Sequence, residues 1–434
     1  MCYAIPGQVV RFEGSIAHIE YFGEERKAHN EIDELQVGDY VYAQGGFVIE
    51  RLKEEAALEI LAVWKETFFE LQEVDLRLSR IDLEEQGLSP EIGRILDRAL
   101  EGRPLKEEQL LALLELEDEG SIDLLCKTAN FLRQKHLKNS CCVHGILEIS
   151  NHCTQGCAYC GISTCNDSIS RYRMSREEIV EAAVEAVERY GFKSLVLQSG
   201  EDPGYTVEEL CAIVRAIKER TPALIFISFG EVGLEGLEKL YEAGARGILM
   251  RFETSNRELY EQLHPGMDFD SRIAHLRRAD ELGYLILTGG LVGLPGQTKQ
   301  DLLNDLFLAR ELNAEMYSFG PMLPHPETPL ADAKPATPSE VMKVLAAARL
   351  MAPEEAKILI TTALETLDPA SRREGLMAGG NSVMLNVTPI RYRRQYVIYE
   401  NRRYQDDEIQ TQIDETIGLL SSLGRAPTDL SVRT

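Results

Sequence analysis

No run of apolar residues in this 434-residue chain reaches the roughly 18 that a membrane-spanning helix needs, so a helical membrane protein is not expected. The first residues, Met1 to Pro6, lack the basic start and apolar core of a secretory signal, and a cytoplasmic location is expected. Positive charge is scarce. Lys and Arg number 46 against 71 Asp and Glu, for a net charge of −25. A nucleic-acid partner calls for a basic face, which this balance argues against. Otherwise the charge marks a well-solvated surface. Disulfides are not expected of the nine cysteines in a reducing compartment, which leaves them free for metal chemistry. What is present is ordinary for a globular protein, with 44% apolar and 27% charged residues. The length allows one domain of the roughly 250-residue barrel kind plus something smaller.

Three of the cysteines stand close together, Cys153, Cys157 and Cys160, in a C-x3-C-x2-C spacing. Three thiolates on one loop can hold three irons of a cubane cluster and leave the fourth open to a ligand. Two other readings exist, a zinc knuckle and chance cysteines, although zinc ordinarily takes a fourth ligand and C-x2-C pairs. Tyr159 before the last cysteine completes C-x3-C-x-Y-C. That pattern resembles the signature of the radical S-adenosylmethionine (SAM) enzymes. The resemblance implies a [4Fe-4S] cluster on Cys153, Cys157 and Cys160, with SAM as the second cofactor.

The chain reads as two domains and a linker. Residues 1–75 carry short β-branched and aromatic runs at Gln8–Phe12, Ile16–Phe22, Gly38–Ala43 and Gly46–Glu50. Short strands at this spacing predict a small β-barrel of OB-like kind. A helix with an apolar stripe follows over Glu54–Glu73. Met1-Cys2 with Ala4-Ile5-Pro6-Gly7 and Val9, then Val37–Val41 and Gly46-Phe47, resemble the HypC/HupF family of hydrogenase maturation chaperones. In that family the cysteine after the initiator Met helps to hold iron bearing cyanide and carbonyl ligands, which makes Cys2 a candidate iron ligand. The family usually has a histidine before the Gly-Phe pair. Gln44-Gly45-Gly46-Phe47 stands here, and glutamine supplies no imidazole.

Residues 76–90 are charged, with Gly87 and Pro90, and read as a linker. Helical segments follow at Pro90–Leu100, Lys106–Asp118 and Ser121–His136, the last with Ser121 in the capping position. Cys126 on it reads as packing, and the adjacent Cys141 and Cys142 should point apart. From residue 145 strand-like runs alternate with helical patterns: 145–150, 194–198, 224–228, 247–251, 285–288, 315–319, 358–361 and 382–385. Eight alternations predict a parallel (βα)8 TIM-type barrel over 91–434, with a helical lead-in and a closing helix at Ile409–Leu423. Residues 425–434 read as a loose tail.

In such barrels chemistry sits at the C-terminal ends of the strands. There the sequence places Gln198 to Pro203, Gly230-Glu231, Arg251 to Thr254, Gly289-Gly290, Gly293 to Thr298, Pro324 to Pro329 and Thr361-Thr362, with Arg272 opening a helix. An ammonium calls for an acceptor and a carboxylate for an arginine, and glycines let backbone approach a ligand. Each feature alone also has a plain structural reading: Arg251 and Glu253 as a barrel ion pair, Gly293 to Gly296 as a turn.

Ser170 to Ser175, Leu197 to Pro203, Val292 to Thr298, Gly320-Pro321, Pro324 to Leu330 and Asn386 to Pro389 resemble the HydE family, maturases of the di-iron hydrogenase cofactor within the biotin synthase-like superfamily. By position the resemblance implies Tyr159, Ser199, Gly200, Glu201, Glu253, Arg272 and Met316 around the cofactors. Gln198, Arg251, Thr361, Thr362 and Tyr396 would line the substrate cavity. Two departures stand out. Phe252 stands where the family commonly has histidine, and no cysteine follows Cys211, so the family's accessory C-terminal cluster cannot form.

The resemblance implies reductive cleavage of SAM to a 5′-deoxyadenosyl radical. The radical would act, in hydrogenase metallocofactor maturation, on a small iron–carbonyl–cyanide–cysteine species or another sulfur-bearing molecule. A reductant protein and other maturation proteins would be the partners. The rival readings are an enzyme of biotin synthase or methylornithine synthase type on an organic substrate, and a non-catalytic iron–sulfur assembly scaffold. Biotin synthase-like chemistry needs further barrel cysteines, for which only Cys165 and Cys211 are spare.

Overall fold

The computed structural model describes residues 4–81, 89–354 and 356–431. Cys2 and residues 82–88 of the expected linker lie outside the described residues.

Five strands, β1 (Gly7–Glu13), β2 (Ile16–Tyr21), β3 (Glu24–His29), β4 (Tyr40–Gln44) and β5 (Phe47–Leu52), close into a small barrel in the order β1-β2-β3-β5-β4. The sequence reading passed over β3. Its residues are mostly charged and only Ala28 is buried, in register with Ala17 of β2. Inward side chains such as Val9, Ile19, Tyr21, Val41 and Val48 form the core, with Phe68 and Leu71 of the following helix closing it. That helix, α1 (Glu54–Leu78), runs five residues beyond Glu73. Three more helices lead to the large barrel: α2 (Pro90–Leu100), α3 (Glu107–Leu114) and α4 (Glu119–Leu137). The α4 cap is Asp118, not Ser121: the Asp118 carboxylate accepts the Ser121 N–H at 2.8 Å.

The eight expected barrel strands are all present: β6 (Ser140–Ser150), β7 (Ser194–Ser199), β8 (Leu224–Ser228), β9 (Ala245–Leu249), β10 (Leu285–Thr288), β12 (Ala314–Tyr317), β14 (Lys357–Ile360) and β15 (Ser382–Asn386). Two short strands, β11 (Leu291–Val292) and β13 (Gly320–Pro321), form a separate parallel pair. All eight barrel strands run parallel, and β15 pairs with β6 to close the ring. The period of two sorts side chains cleanly. Val143, Leu147, Leu195, Leu197, Ile225 and Ile227 face the helices. Val196, Phe226, Leu287, Met316, Leu359 and Met384 fill the barrel's middle layer, with Ile146 and Leu249 against them. Among the described residues no helix is long and apolar enough to cross a membrane.

Two features of the large barrel also differ from the sequence reading. β6 begins at Ser140, not 145, so Cys141 and Cys142 belong to it. Of the expected loose tail, residues 425–431 are ordered against the barrel, and 432–434 lie outside the described residues. β6 overhangs the ring, and its free edge pairs with β16 (Ala426–Pro427). Thr428 N–H then donates to Cys141 O at 2.9 Å and Lys193 N–H to Asp429 O at 2.8 Å. An exposed strand edge offers unpaired backbone groups, and the tail satisfies them.

The small barrel closes the N-terminal end of the large one. Phe47 and Ile49 of β5 pack on the middle-layer cluster. Gly45, in the β4–β5 turn with φ +53°, lies so close that a Cβ there would stand 2.6 Å from Leu224 Cδ2. The opposite, C-terminal end stays open to the loops that carry the site.

Candidate active site

The three-cysteine loop leaves β6 directly and is tied down on both flanks. Arg171 is its clamp. Its guanidinium donates to the carbonyls of Asn151 (2.6 Å), Ile162 (2.7 Å), Ser163 (2.9 Å) and Asn166 (3.0 Å). Across the loop, Thr154 N–H donates to Glu201 O at 3.1 Å and Gly200 N–H to Ser150 O at 3.2 Å. A Cβ at Gly200 would collide with His152 O, so only glycine allows the β7 end to approach the cysteines.

Cys153, Cys157 and Cys160 all line one cavity of about 340 Å³. Burial pushes all three thiols up, Cys160 to about 12, and neighbouring cysteines raise Cys157 and Cys160 further. Only a bound cation makes such a group an easy thiolate donor. The three do not gather round a single point. Among the described residues, the His/Cys/Asp/Glu set with ligand atoms all within 4.8 Å of one another lies elsewhere. Three spread thiols around an open cavity suit a multi-iron cluster, one thiolate to each iron, rather than a zinc knuckle.

Beside the loop stands a set of carboxylates and one arginine. Glu201 accepts from Gln155 Nε2 at 2.6 Å and from Glu231 N–H at 3.2 Å. Arg272, nearly buried, reaches Glu201 Oε1 at 3.3 Å and Glu231 Oε1 at 3.2 Å. Ser271 Oγ fixes the other Glu231 oxygen at 2.5 Å. Glu253 sits at φ +66°, a left-handed conformation that costs a non-glycine residue energy. Bonds on both sides hold it there: its N–H donates to Gly289 O at 3.1 Å and its carbonyl accepts from Leu291 N–H at 2.9 Å. Its Oε2 is 3.1 Å from Arg251 Nη2. Yet Glu253 Oε2 and Glu231 Oε1 are buried acceptors with no well-aligned hydrogen bond. Buried acceptors ordinarily have donors, and an amino-acid ammonium or a ribose hydroxyl would supply them. The site residues therefore fit a cluster with SAM beside it.

Tyr159 turns away from solvent and meets His264. Burial lowers His264, whose Nδ1–H donates to Tyr260 O at 2.8 Å, so Nε2 accepts the Tyr159 hydroxyl at 2.9 Å. Gln198, Ser199, Gly200, Glu201, Arg251, Glu253, Arg272, Thr361 and Thr362 line the same cavity as the cysteines. Two named residues do not. Tyr396 stands behind Gln198, which donates to its hydroxyl at 3.1 Å. Met316 lies in the apolar layer below, its sulfur accepting from Ser382 Oγ at 3.5 Å. The cavity floor is apolar, made by Ile146, Leu249, Leu359 and Met384.

Sequence reasoning assigned no site role to Arg171, Glu231, Tyr260, His264, Tyr399 or Arg402. The last four line the cavity, and Arg402 is paired with buried Glu148 at 2.5 Å. Glu231 was visible as a polar residue at a strand end. Tyr260 and His264 lie in and just after the short helix Arg257–Leu263, where nothing in the local pattern sets them apart.

A parallel eightfold barrel with this loop and pocket at its C-terminal end defines a radical SAM enzyme. The family model of the radical SAM superfamily matches residues 147–309, that of the HupF/HypC family residues 1–64, and that of the biotin and thiamin synthesis associated domain residues 318–424. The chain is 38% identical over 335 residues to the [FeFe] hydrogenase maturase subunit HydE of Thermotoga maritima, covering 77% of this chain and 95% of that protein. It is 30% identical over 339 residues to 3-methylornithine synthase of Methanosarcina acetivorans, covering 78% and 94%. Among solved structures, methylornithine synthase (PylB) superposes with TM-score 0.67 at 26% identity, over 77% of this chain and 97% of that one. The hydrogenase maturase HydG, at 21% identity and TM-score 0.68 over 84% and 79%, shares the fold. The chain belongs to the HydE family of radical SAM enzymes and carries a HupF/HypC domain in front of the barrel. Its cofactors are a [4Fe-4S] cluster and SAM.

Proposed function

We propose that this enzyme acts in hydrogenase metallocofactor maturation, on a small iron–carbonyl–cyanide–cysteine species or a related sulfur-bearing molecule. The observation that carries the reading is the union in one chain of a barrel 38% identical to a HydE maturase and a HupF/HypC domain. The cavity of about 340 Å³ supports it, being of a size for a cofactor and a small substrate rather than a peptide.

Cys153, Cys157 and Cys160 would hold the cluster. When bound, the reduced cluster would supply one electron to the sulfonium of SAM, whose S–C5′ bond would break to give methionine and a 5′-deoxyadenosyl radical. The remaining work falls to the chain. Ser199, Gly200 and Glu201 accept the SAM ammonium, Glu253 meets its ribose or amino-acid side, and Arg272 clamps its carboxylate. Glu231 orients Arg272 from behind. The apolar floor and Tyr159 exclude water and stray hydrogen donors. Gln198, Arg251, Thr361 and Thr362 contact the substrate, with Tyr396 holding Gln198. Met316 backs the floor instead of touching a ligand. Residues 1–75 form the HypC-like unit, 76–90 the linker and 91–434 the catalytic barrel. Cys2 would carry iron, and the partners would be a reductant protein and other maturation proteins, in the cytoplasm.

Methylornithine synthase at 30% identity favours a second reading, an organic substrate. The test is anaerobic reconstitution, reduction and addition of SAM with either substrate class. Release of 5′-deoxyadenosine that rises with an iron–carbonyl–cyanide–cysteine complex supports the proposal. A rise only with an amino acid transfers the assignment to the second reading. Replacing Cys2 by alanine in the full chain should lower bound iron and cyanide; unchanged content removes the carrier role.

A further inference from the structure

The N-terminal end of the large barrel holds a cluster that the active site does not use. Cys142 and His144 are two apart on β6, so both point into the barrel, below Ile146. Asp429, on the C-terminal tail, reaches the same place. One ligand atom from each of the three lies within 4.8 Å of the other two, and all three residues are buried.

His144 and Asp429 stand at ion-pair range, but farther apart than a direct charged hydrogen bond. His144 Nε2 is 3.4 Å from Asp429 Oδ2. A charged hydrogen bond would be about 2.7–2.9 Å long. Two donors each about 2.0–2.1 Å from one tetrahedral ion stand roughly 3.3–3.4 Å apart. The imidazole is also under-satisfied. His144 is 2% exposed, and its Nδ1 has no hydrogen-bond partner among the described residues. Its ring is held flat against Phe226, centroids 5.1 Å apart. Asp429 is held as firmly: Ser194 Oγ donates to Oδ1 at 2.9 Å and Thr428 Oγ1 to Oδ2 at 2.6 Å.

We propose that Cys142, His144 and Asp429 form a second metal site, for a single divalent transition ion of the zinc or ferrous kind. A thiolate and a carboxylate cancel the charge of such an ion, and a neutral complex is what a buried site tolerates. Thiolate and imidazole disfavour calcium and magnesium, which take oxygen ligands. The nearby Lys357 is occupied by Glu315. The ion would sit where the two domains meet. Ala4 of the small domain donates its N–H to Pro427 O at 3.4 Å and accepts from Ser431 Oγ at 3.2 Å, on the very segment that supplies Asp429. Metal binding would therefore lock the tail, the barrel base and the front domain together.

The test uses the full chain with Cys153, Cys157 and Cys160 replaced by alanine, so that the cluster loop does not compete. Anaerobic titration with Co(II) should give one ion per chain with thiolate-to-cobalt charge-transfer absorption, displaced by Zn(II). Adding Cys142→Ser should abolish that absorption, and His144→Gln or Asp429→Asn should weaken binding about tenfold or more. No stoichiometric binding, or an absorption band unchanged by Cys142→Ser, overturns the site. Should these added substitutions unfold the barrel by circular dichroism, zinc-edge anomalous diffraction from crystals of the unsubstituted chain soaked in Zn(II) decides. A peak bonded to the three residues supports the site, and none among them refutes it.

Discussion

Arg171 shows what a local motif conceals. The spacing of Cys153, Cys157 and Cys160 announces cluster chemistry by itself, because thiolates must be close to share one cluster. Arg171 spends its hydrogen bonds on four carbonyls around them. Carbonyls carry no sequence signal, so the clamp was legible only as part of a family stretch. Arg171→Met should leave the barrel folded and reduce iron bound after reconstitution to less than about half, since four charge-assisted bonds at about 1.5–3 kcal/mol each are lost. Iron analysis beside circular dichroism checks it, and full iron content would contradict it. A buried carboxyl acts likewise on Glu253. Asp305 accepts from Ser255 N–H at 2.5 Å and from Ser255 Oγ at 2.6 Å, anchoring the loop after Glu253. Burial raises Asp305 to about 7. Between the unfolded value near 4 and the folded value the native state holds the extra proton. Stability contributed by Asp305 is thus complete below pH about 4 and is lost as pH rises toward about 7, by at most about 1.4 kcal/mol per unit. Asp305→Asn should flatten that window; urea midpoints at pH 5 and pH 8 that fall equally in both proteins would refute the assignment.

Among the elements, the eight barrel strands were legible because parallel strands, covered on both faces, read as continuous apolar runs. β3 was not, since its outward side chains are charged and only Ala28 turns inward. The C-terminal tail failed for another reason: its pairing partner, the overhang of β6, is nearly 290 residues away in sequence. Long-range ties of this kind join α1 to the barrel too. Asp75 on α1, 1% exposed, receives both Arg133 terminal nitrogens at 2.7 Å, and Arg425 Nε is 3.0 Å away. Arg133 belongs to α4 and Arg425 to the turn before β16, so one carboxylate binds three elements. Asp75→Ala leaves two buried guanidinium groups short of their counter-charge and should cost about 3–5 kcal/mol. Denaturant unfolding measures this, and a loss below 1 kcal/mol would mean that water replaces the carboxylate.

At the scale of the whole molecule, the two ends of the barrel have separate tasks. Polar loops at the C-terminal end make the site, and one apolar layer divides it from the small domain: Leu359 and Met384 form the cavity floor and share a cluster with Phe47 and Ile49. Domain number and fold class were legible from composition and periodicity. The docking was not, because it depends on the shape of a glycine turn rather than on any residue's chemistry. Gly45 has φ +53°, and a Cβ there would stand 2.6 Å from Leu224 Cδ2 and 2.9 Å from Leu285 Cδ1. Gly45→Val meets two penalties at once, about 1–2 kcal/mol for a left-handed backbone and about 1–3 kcal/mol for overpacking. The turn can relieve the second only by lifting off the barrel base. If docking couples the domains, the parent chain should unfold in one calorimetric transition and Gly45→Val in two, with the small barrel melting first. Release of 5′-deoxyadenosine should stay within about twofold of the parent, because the turn packs on Leu224 and Leu285 at the barrel base, across the apolar layer from the cysteine loop; 2.7 kcal/mol of lost transition-state stabilisation would instead appear as about a hundredfold drop. An unsplit transition at the parent's midpoint would show that the front domain rests on the barrel without supporting it. A split transition accompanied by lost cleavage would show that the apolar layer transmits to the site.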